Sequence, residues 1–251
     1  MTQSLAQEAI DVSELAENLV GSEIIKIAGE INARIAQGED ITNLTIGDFN
    51  PSIYPLPKAL LNEIVKAYEE GHTNYPQANG MEVLRESVSD FIETRQGLKY
   101  SKDDVLISGG ARPLIYATYR ALVNPGEKVI FPIPSWNNNH YTYLNYAKPV
   151  IVESTPENKF LPTAADLQPH VKDAALIALC SPLNPTGTSF TKKALLEICD
   201  LIIAENNRRA GQKPLYLLYD QIYSALTLDG TKHYDPVSLR PEMRKYTVYV
   251  D

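Results

Sequence analysis

Apolar residues along the chain recur first at helical spacing and later in short continuous runs. Residues 1–20 are polar and carry no periodic pattern. From Ser22 onward, isoleucines return every three or four positions, which predicts a helix that ends near Gly38. Residues 41–57, ITNLTIGDFNPSIYPLP, mix β-branched residues with turn formers and three prolines. This mixture predicts a short strand that leads into an extended connection between domains.

From Lys58 onward the pattern is a regular alternation of helices and strands. Helical spacing predicts helices over about Lys58–Tyr68 and Glu82–Thr94. Two further helices are predicted at LIYATYRAL and TKKALLEICDLIIAENN, and six apolar runs are predicted as strands: DVLIS, KVIFP, KPVIVE, ALIALCS, LYLLYD and YTVYV. The alternation predicts an α/β fold, and the uninterrupted apolar runs predict a mostly parallel sheet that is buried on both faces.

Composition and charge narrow the classes of function. The 251 residues, of which 44% are apolar, suffice for one large α/β domain and a smaller appendage. The formal net charge of −8 argues against a nucleic-acid partner, because a phosphate backbone requires a dense cationic face. The N-terminus has neither a basic segment nor a continuous apolar run, so we expect no membrane span and a cytoplasmic location. Cys180 and Cys199 lie outside any CxxC pair, so we expect neither a disulfide nor a metal site.

Candidate ligand-binding residues follow the predicted strands, because ligands of open α/β sheets bind at the carboxyl ends of strands. In SGGARP, Gly110 permits a tight turn while Ala111 and Arg112 open a helix whose free N–H groups favour a phosphate. By itself, a Gly-Gly pair before a helix is often only a turn. In FPIPSW, Trp136 could stack on a flat aromatic ligand, and the alternative is an indole that covers the core.

Two later junctions carry polar side chains at the ends of apolar strands. The prolines and glycine of SPLNPTG form a rigid loop that holds Asn184 toward the strand ends. Asp220 ends the run LYLLYD, and Tyr223 follows three residues later. A carboxylate withdrawn from water at such a rim needs a cationic partner. The alternative for Asp220 is a helix cap or an ordinary ion pair.

Taken together and in order, these segments resemble the class I/II family of fold-type I aminotransferases, which use pyridoxal phosphate (PLP). The resemblance extends from about Gly47 to Asp251 and includes TIGDFNP, NYPQANGMEVLRESV and NPGEKVIFPIPSW. It implies a three-layer sandwich around the mostly parallel sheet. It also implies an N-terminal arm and part of a small domain over residues 1–50, followed by an incomplete PLP-binding large domain over residues 51–251.

The resemblance also implies a role for each candidate residue. Asp220 would pair with the protonated pyridine nitrogen, which keeps the ring an electron sink. Trp136 would stack on the ring, and Gly47 would lie at the substrate. The remaining contacts are to the phosphate, through the backbone of Gly110, Ala111 and Arg112 and through Tyr75 of a neighbouring subunit, and to the phenolic oxygen, through Asn184 and Tyr223.

The chain departs from the family pattern at three points, one of which is Asn139, next to His140, at a position where some members carry a histidine that supports the aspartate. Gln221 of DQIY stands where the family has an acid, and we expect a minor effect because this residue does not touch the ring. In the family, the lysine that forms the Schiff base follows the YTVYV strand within a few residues, so it is expected beyond Asp251. We therefore assign the catalytic role to no residue of this chain, and we expect the chain alone to be inactive.

The resemblance favours transfer of an amino group between an amino acid and a 2-oxo acid. Because the same electron sink serves elimination, a carbon–sulfur lyase of the same fold is one alternative. A non-catalytic binding or dimerisation module is another, but polar residues such as Asn184 and Asp220 would be costly to keep at strand ends without a ligand. Since Tyr75 would serve a neighbouring site, the resemblance implies a homodimer.

Overall fold

The structure, a computed structural model, describes residues 11–251. It divides into two compact units, of which the first ends at Ala78 and the second is Asn79–Asp251. The predicted start of the large domain at residue 51 stays a prediction, and residues 1–10 of the predicted arm lie outside the described residues. In its described part the first unit contains α1 (Glu14–Glu17), α2 (Glu23–Ala36) and α3 (Lys58–Glu69).

The second unit follows the predicted alternation of helices and strands. Short 3₁₀ turns lie at Lys102–Asp104, Pro156–Asn158 and Pro241–Lys245. The regular elements in chain order are α4 (Glu82–Gln96), α5 (Ala111–Leu122), β1 (Lys128–Ile133), α6 (Asn138–Leu144), β2 (Lys148–Glu153), α7 (Ala164–Leu167), β3 (Ala174–Cys180), α8 (Lys192–Arg209), β4 (Tyr216–Asp220), α9 (Pro236–Leu239) and β5 (Thr247–Val250).

The strands form one five-stranded sheet in the order β2-β1-β3-β4-β5. Every neighbouring pair in this sheet is parallel, so the prediction of a mostly parallel sheet is confirmed. The order reverses after β2, because β3 pairs with the other side of β1. In doubly wound sheets of this order, ligands bind in the crevice outside the carboxyl ends of the two strands that flank the reversal.

The core lies on both faces of β3, the central strand. Successive side chains of a strand point to opposite faces, so Leu176 and Ala178 face one side while Ile177 and Leu179 face the other. Each fully buried leucine or isoleucine contributes about 1.5–3 kcal/mol. α5 covers the first face through Ile115 and Tyr119, and α8 covers the second face through Leu195, Ile198 and Ile202. This arrangement confirms the expected three-layer sandwich.

Two segments that were predicted as strands are not strands, because neither pairs with a neighbouring strand in the described residues. Residues 41–50 form bends and irregular backbone, and Leu44 stays 87% exposed. In DVLIS, Val105 has extended dihedral angles, but the segment forms no ladder. Its Ile107 N–H instead donates to the Asn79 carbonyl at 3.0 Å. β-branched residues favour extended backbone, but a strand also requires a hydrogen-bonded partner.

The start of the chain also differs from the prediction. Within residues 11–20, which were predicted to lack a pattern, Ser13 accepts a hydrogen bond from the Ala16 N–H at 3.2 Å and caps the short helix α1. Ser22 stands at the predicted cap position of α2, but its side chain forms no capping hydrogen bond. Of these two serines, Ser13 therefore forms a side-chain cap, at the shorter helix α1, and Ser22 does not.

The helices and cysteines add two observations on chemistry. Among residues 11–251, no helix combines the length and apolarity needed to cross a bilayer. Cys199 is buried on α8, and Cys180 is half-buried at the end of β3. Burial raises the pKa of each thiol to about 12, so both are protonated at neutral pH.

Gly80 precedes α4 in a conformation and a space that only glycine fits. Its φ is +100°, and a Cβ atom there would lie 2.5 Å from the Cβ of Ile107. We expect Gly80→Ala to lower the free energy of unfolding by about 1–3 kcal/mol more than Gly126→Ala, because overpacking adds to the strain. Gly126 has φ +83°, and a Cβ atom there would meet no other atom within 4 Å. The loss in Gly126→Ala therefore reports the backbone strain without a clash. Urea unfolding of both variants measures the difference, and equal losses would contradict the expected clash.

Candidate functional site

The reversal of strand order places two predicted loops at one crevice. The loop after β1 carries Trp136, and the loop after β3 carries Asn184. Next to β3, β4 ends at Asp220, which lies opposite Cys180 in the strand register. Because the strands are parallel, their carboxyl ends meet at one edge of the sheet. The structure therefore brings these candidate residues to the same edge.

Asp220 is a carboxylate at the rim of the sheet without a cationic partner. Its Oδ1 atom accepts a hydrogen bond from the Ile222 N–H at 3.1 Å. No cationic side chain of residues 11–251 forms an ion pair with it. Burial raises the pKa of Asp220, and the negative charge of Asp251 adds to this increase. A cation that bound here would relieve the cost of this buried charge.

Asn184 and Tyr223 contact each other beside Asp220. The Asn184 side-chain amide donates to the Tyr223 hydroxyl at 3.2 Å. The loop that holds Asn184 is closed by two short backbone hydrogen bonds, from the Leu183 N–H to Thr188 O and from the Gly187 N–H to Leu183 O, each 2.7 Å long. An amide and a phenol held this close can both hydrogen-bond one oxygen atom of a ligand.

The N-terminus of α5 lies beside the indole of Trp136. α5 begins at Ala111, after Gly110 with φ +118°. The guanidinium carbon of Arg112 lies 5.6 Å from the centroid of the Trp136 ring, which is a cation–π distance. The first N–H groups of a helix have no intrahelical acceptor, so they and Arg112 form a site suited to an anion next to an aromatic surface.

Tyr141 links these two parts of the site, and the sequence did not single it out. Tyr141 is buried on α6, and burial raises its pKa, while Arg112 lowers that pKa and Asp220 raises it further. The pKa of Tyr141 therefore depends on the charges of both Arg112 and Asp220. Its ring packs on Tyr119 of α5 with the centroids 5.7 Å apart. The run of aromatic and polar residues in NNHYTY was the only sequence signal for it.

A hydrogen-bonded chain supports the loop that carries Trp136. The buried Tyr119 hydroxyl donates to Asn138 Oδ1 at 2.9 Å, and the Asn138 amide donates to Ser135 Oγ at 3.3 Å. Tyr119 belongs to α5, so the helix with the anion-binding terminus also supports the indole. No local sequence pattern indicates this pairing, because Tyr119 and Asn138 are nineteen positions apart.

Gly47 and Tyr75 belong to the first unit. Both are exposed, and Tyr75 is fully so. Their positions relative to the crevice of the second unit stay predictions.

Comparisons with known proteins match this fold and these motifs. The family model described as aminotransferase class I and II matches residues 39–250. An aspartate aminotransferase of Geobacillus stearothermophilus is 29% identical over 238 residues, which are 93% of this chain and 57% of that protein. An aspartate aminotransferase of Bacillus sp. strain YM-2 is 26% identical over 239 residues, which are 94% of this chain and 58% of that protein.

Solved structures share the fold. The crystal structure of the aspartate aminotransferase from Rhizobium meliloti superimposes with a TM-score of 0.85 at 23% identity, over 95% of this chain and 58% of that one. The chain thus spans less than two thirds of the length of each of these relatives. Because the family match covers most of the chain and the sheet has the expected architecture, the chain belongs to the aminotransferase class I and II family, whose members depend on PLP.

Proposed function

We propose that the protein containing this chain is a PLP-dependent aminotransferase that moves an amino group between an amino acid and a 2-oxo acid. The observation that carries the proposal is Asp220, a carboxylate at a strand end with a raised pKa and no cationic partner in residues 11–251. The pyridine ring of PLP is such a cation when its nitrogen is protonated. The names of the relatives support the reaction.

The chemistry of the side chains fits PLP at each of its functional groups. Asp220 would hold the ring nitrogen, and Trp136 would stack on the ring. Asn184 and Tyr223, which are 3.2 Å apart, would hydrogen-bond the phenolic oxygen. The phosphate would bind the N-terminus of α5, through the backbone of Gly110, Ala111 and Arg112.

Each residue contributes a separate function. When bound, PLP supplies an electron sink for carbanion chemistry. Asp220 would keep the ring nitrogen protonated, because opposite unit charges about 4 Å apart attract by about 4 kcal/mol at an effective dielectric near 20, before desolvation costs. Trp136 would orient the ring and add about 0.5–1.5 kcal/mol beyond the burial of its surface. Asn184 and Tyr223 would restrict rotation of the ring through hydrogen bonds to the phenolic oxygen.

The proposal extends to assembly and substrate contacts. Tyr75 would reach the cofactor phosphate of a neighbouring subunit, which requires a homodimer with its sites at the subunit interface. Gly47 would lie at the substrate, and the large domain would begin near residue 51. A cytoplasmic location is part of the same proposal. Sedimentation equilibrium of the complete protein tests the dimer, since a monomer would exclude the role of Tyr75.

Product analysis tests the proposed reaction. The complete protein, loaded with PLP, is incubated with L-aspartate and 2-oxoglutarate, and the products are separated by mass spectrometry. Transfer predicts equal amounts of a new amino acid and a new 2-oxo acid. In a separate reaction, the protein is incubated with L-cysteine in place of L-aspartate. Release of pyruvate, ammonia and sulfide from L-cysteine, without a new amino acid in either reaction, would instead identify a lyase. No reaction across a panel of amino acids would favour a binding module.

A further inference from the structure

Gln221 connects the ends of the neighbouring strands β4 and β5 through its side chain. It directly follows Asp220 and is only 2% exposed. Its Nε2 atom donates to Asp251 Oδ2 at 3.0 Å, and its Oε1 atom lies 3.1 Å from His233 Nε2. Its backbone N–H donates to the Val250 carbonyl at 2.8 Å. The residue that was expected to have a minor effect is therefore buried and has two side-chain partners.

Hydrogen-bond chemistry fixes the direction of both side-chain bonds. A carboxylate only accepts, so the amide nitrogen of Gln221 must face Asp251 and the amide oxygen must face His233. His233 must then carry its proton on Nε2. Its Nδ1 atom is buried and has no hydrogen-bond partner among the described residues. The two side-chain hydrogen bonds of Gln221 thus require only a neutral imidazole, and burial lowers the pKa of His233 in agreement with this.

Charged groups surround the network on several sides. Asp235 and Asp251 act on His233, and Asp251 also acts on Asp220. A cavity of about 330 Å³ adjoins the network and is lined by His233 and Asp251, together with the cations Arg95, Lys192 and Lys232. These cations do not form an ion pair with Asp251 in the described residues. Gln221 therefore provides a direct hydrogen bond to the Asp251 carboxylate, and Asp251 itself is exposed to solvent.

The amide at position 221 is matched to the acid at position 251. A glutamate at position 221 would place a buried carboxylate about 3 Å from the exposed carboxylate of Asp251, and a like charge this close raises the cost of ionising the buried one. Exchange of both residues, with an acid at 221 and an amide at 251, would restore one donor and one acceptor. The pair therefore has a polarity that Q221E breaks and the double substitution Q221E/D251N reverses, whereas D251N alone keeps an acceptor for the Gln221 amide.

We propose that Gln221 is a positioning residue, whose amide holds the end of β4 against the end of β5 and thereby sets the position of the Asp220 carboxylate. Gln221 directly follows Asp220, the last residue of β4, so fixing its amide constrains the backbone from which the Asp220 side chain projects. The inference rests on the proposed function, because the readout is the affinity for PLP.

The test compares Q221E, D251N and the double variant Q221E/D251N in the complete, cofactor-free protein. The Kd for PLP is measured between pH 6 and 8.5, and Q212E, which makes the same change at an exposed site, is the control. We expect Q221E to bind PLP on the order of tenfold more weakly at pH 8, with a smaller loss toward pH 6, because protonation relieves the repulsion between the two carboxylates. D251N and the double variant should stay within about threefold of the unmodified protein.

The outcomes separate this inference from the proposed function. A Q221E protein that binds PLP as the unmodified protein does, or a double variant as weak as Q221E, would overturn the positioning role. Failure of the unmodified protein to bind PLP would overturn both. If Q221E does not fold, the double variant decides the question, because a folded protein with nearly normal affinity requires that the reversed pair replaces the original one.

Discussion

Substitution of Asp220 by asparagine is expected to weaken PLP binding by a hundred- to a thousandfold. The attraction between the carboxylate and a protonated ring nitrogen is about 4 kcal/mol before desolvation costs, which corresponds to roughly a thousandfold as an upper limit. An asparagine keeps the shape of the side chain but removes the charge. The Kd for PLP of Asp220→Asn, measured by equilibrium titration of the cofactor-free protein, checks this result.

The same substitution should stabilise the protein without the cofactor at neutral pH. The folded-state pKa of Asp220 is raised, so the folded state binds its proton more tightly than the unfolded chain does. The ionised Asp220 carboxylate therefore lowers the free energy of unfolding as the pH rises above about 3.9, the carboxyl pKa of the unfolded chain. This loss of stability persists at neutral pH. Asp229→Asn, at an exposed loop position, is the control. A variant with unchanged PLP affinity would contradict the assignment of Asp220.

Glu205→Ala is expected to lower the free energy of unfolding more than any other substitution proposed for this chain. Its side chain is only 6% exposed and bonds Arg208 and Arg209, each at 2.8 Å. Arg209 is also buried and donates to the Val171 carbonyl at 2.7 Å. Glu205→Ala leaves this guanidinium buried without its counter-ion, so we expect the free energy of unfolding to fall by about 3–5 kcal/mol.

The pH dependence and a control on the same helix test the Glu205 prediction. The two arginines lower the pKa of Glu205 to about 2, against a usual value of 4.5. Its contribution is therefore complete above about pH 4.5 and is lost as the pH falls toward 2. Glu197→Ala, which breaks an exposed pair with Lys193 on α8, should cost less than about 1 kcal/mol. Equal losses in urea unfolding for the two variants would contradict the account.

The alternating helices and strands could be predicted because each is marked by a local pattern of apolar residues. Continuous apolar runs marked β1 to β5, and helical spacing marked α3, α4, α5 and α8. Residues that follow a strand must lie at its carboxyl end, so Trp136, Asn184 and Asp220 could be placed at one edge without knowledge of the strand order. The resemblance to a family then supplied a role for each residue.

The features that were missed depend on contacts between distant parts of the chain. DVLIS has the composition of a strand, but its pairing depends on a neighbour that sequence alone does not show. Gln221 was expected to be minor because its distance from the ring was considered without its bonds to His233 and Asp251. Tyr141 lies just after the strand junction that carries Trp136, but no sequence pattern distinguished it from its polar neighbours. The burial of Tyr141 and the matched hydrogen-bond donor and acceptor of Gln221 can be recognised only when the fold is known.

A crystal structure of the complete protein with PLP bound tests the central claim most directly. The account predicts the ring nitrogen within hydrogen-bond distance of Asp220, the ring stacked on Trp136 and the phosphate at the N-terminus of α5. Asn184 and Tyr223 should both contact the phenolic oxygen. A cofactor bound elsewhere, or one whose ring nitrogen faces no carboxylate, would contradict the account.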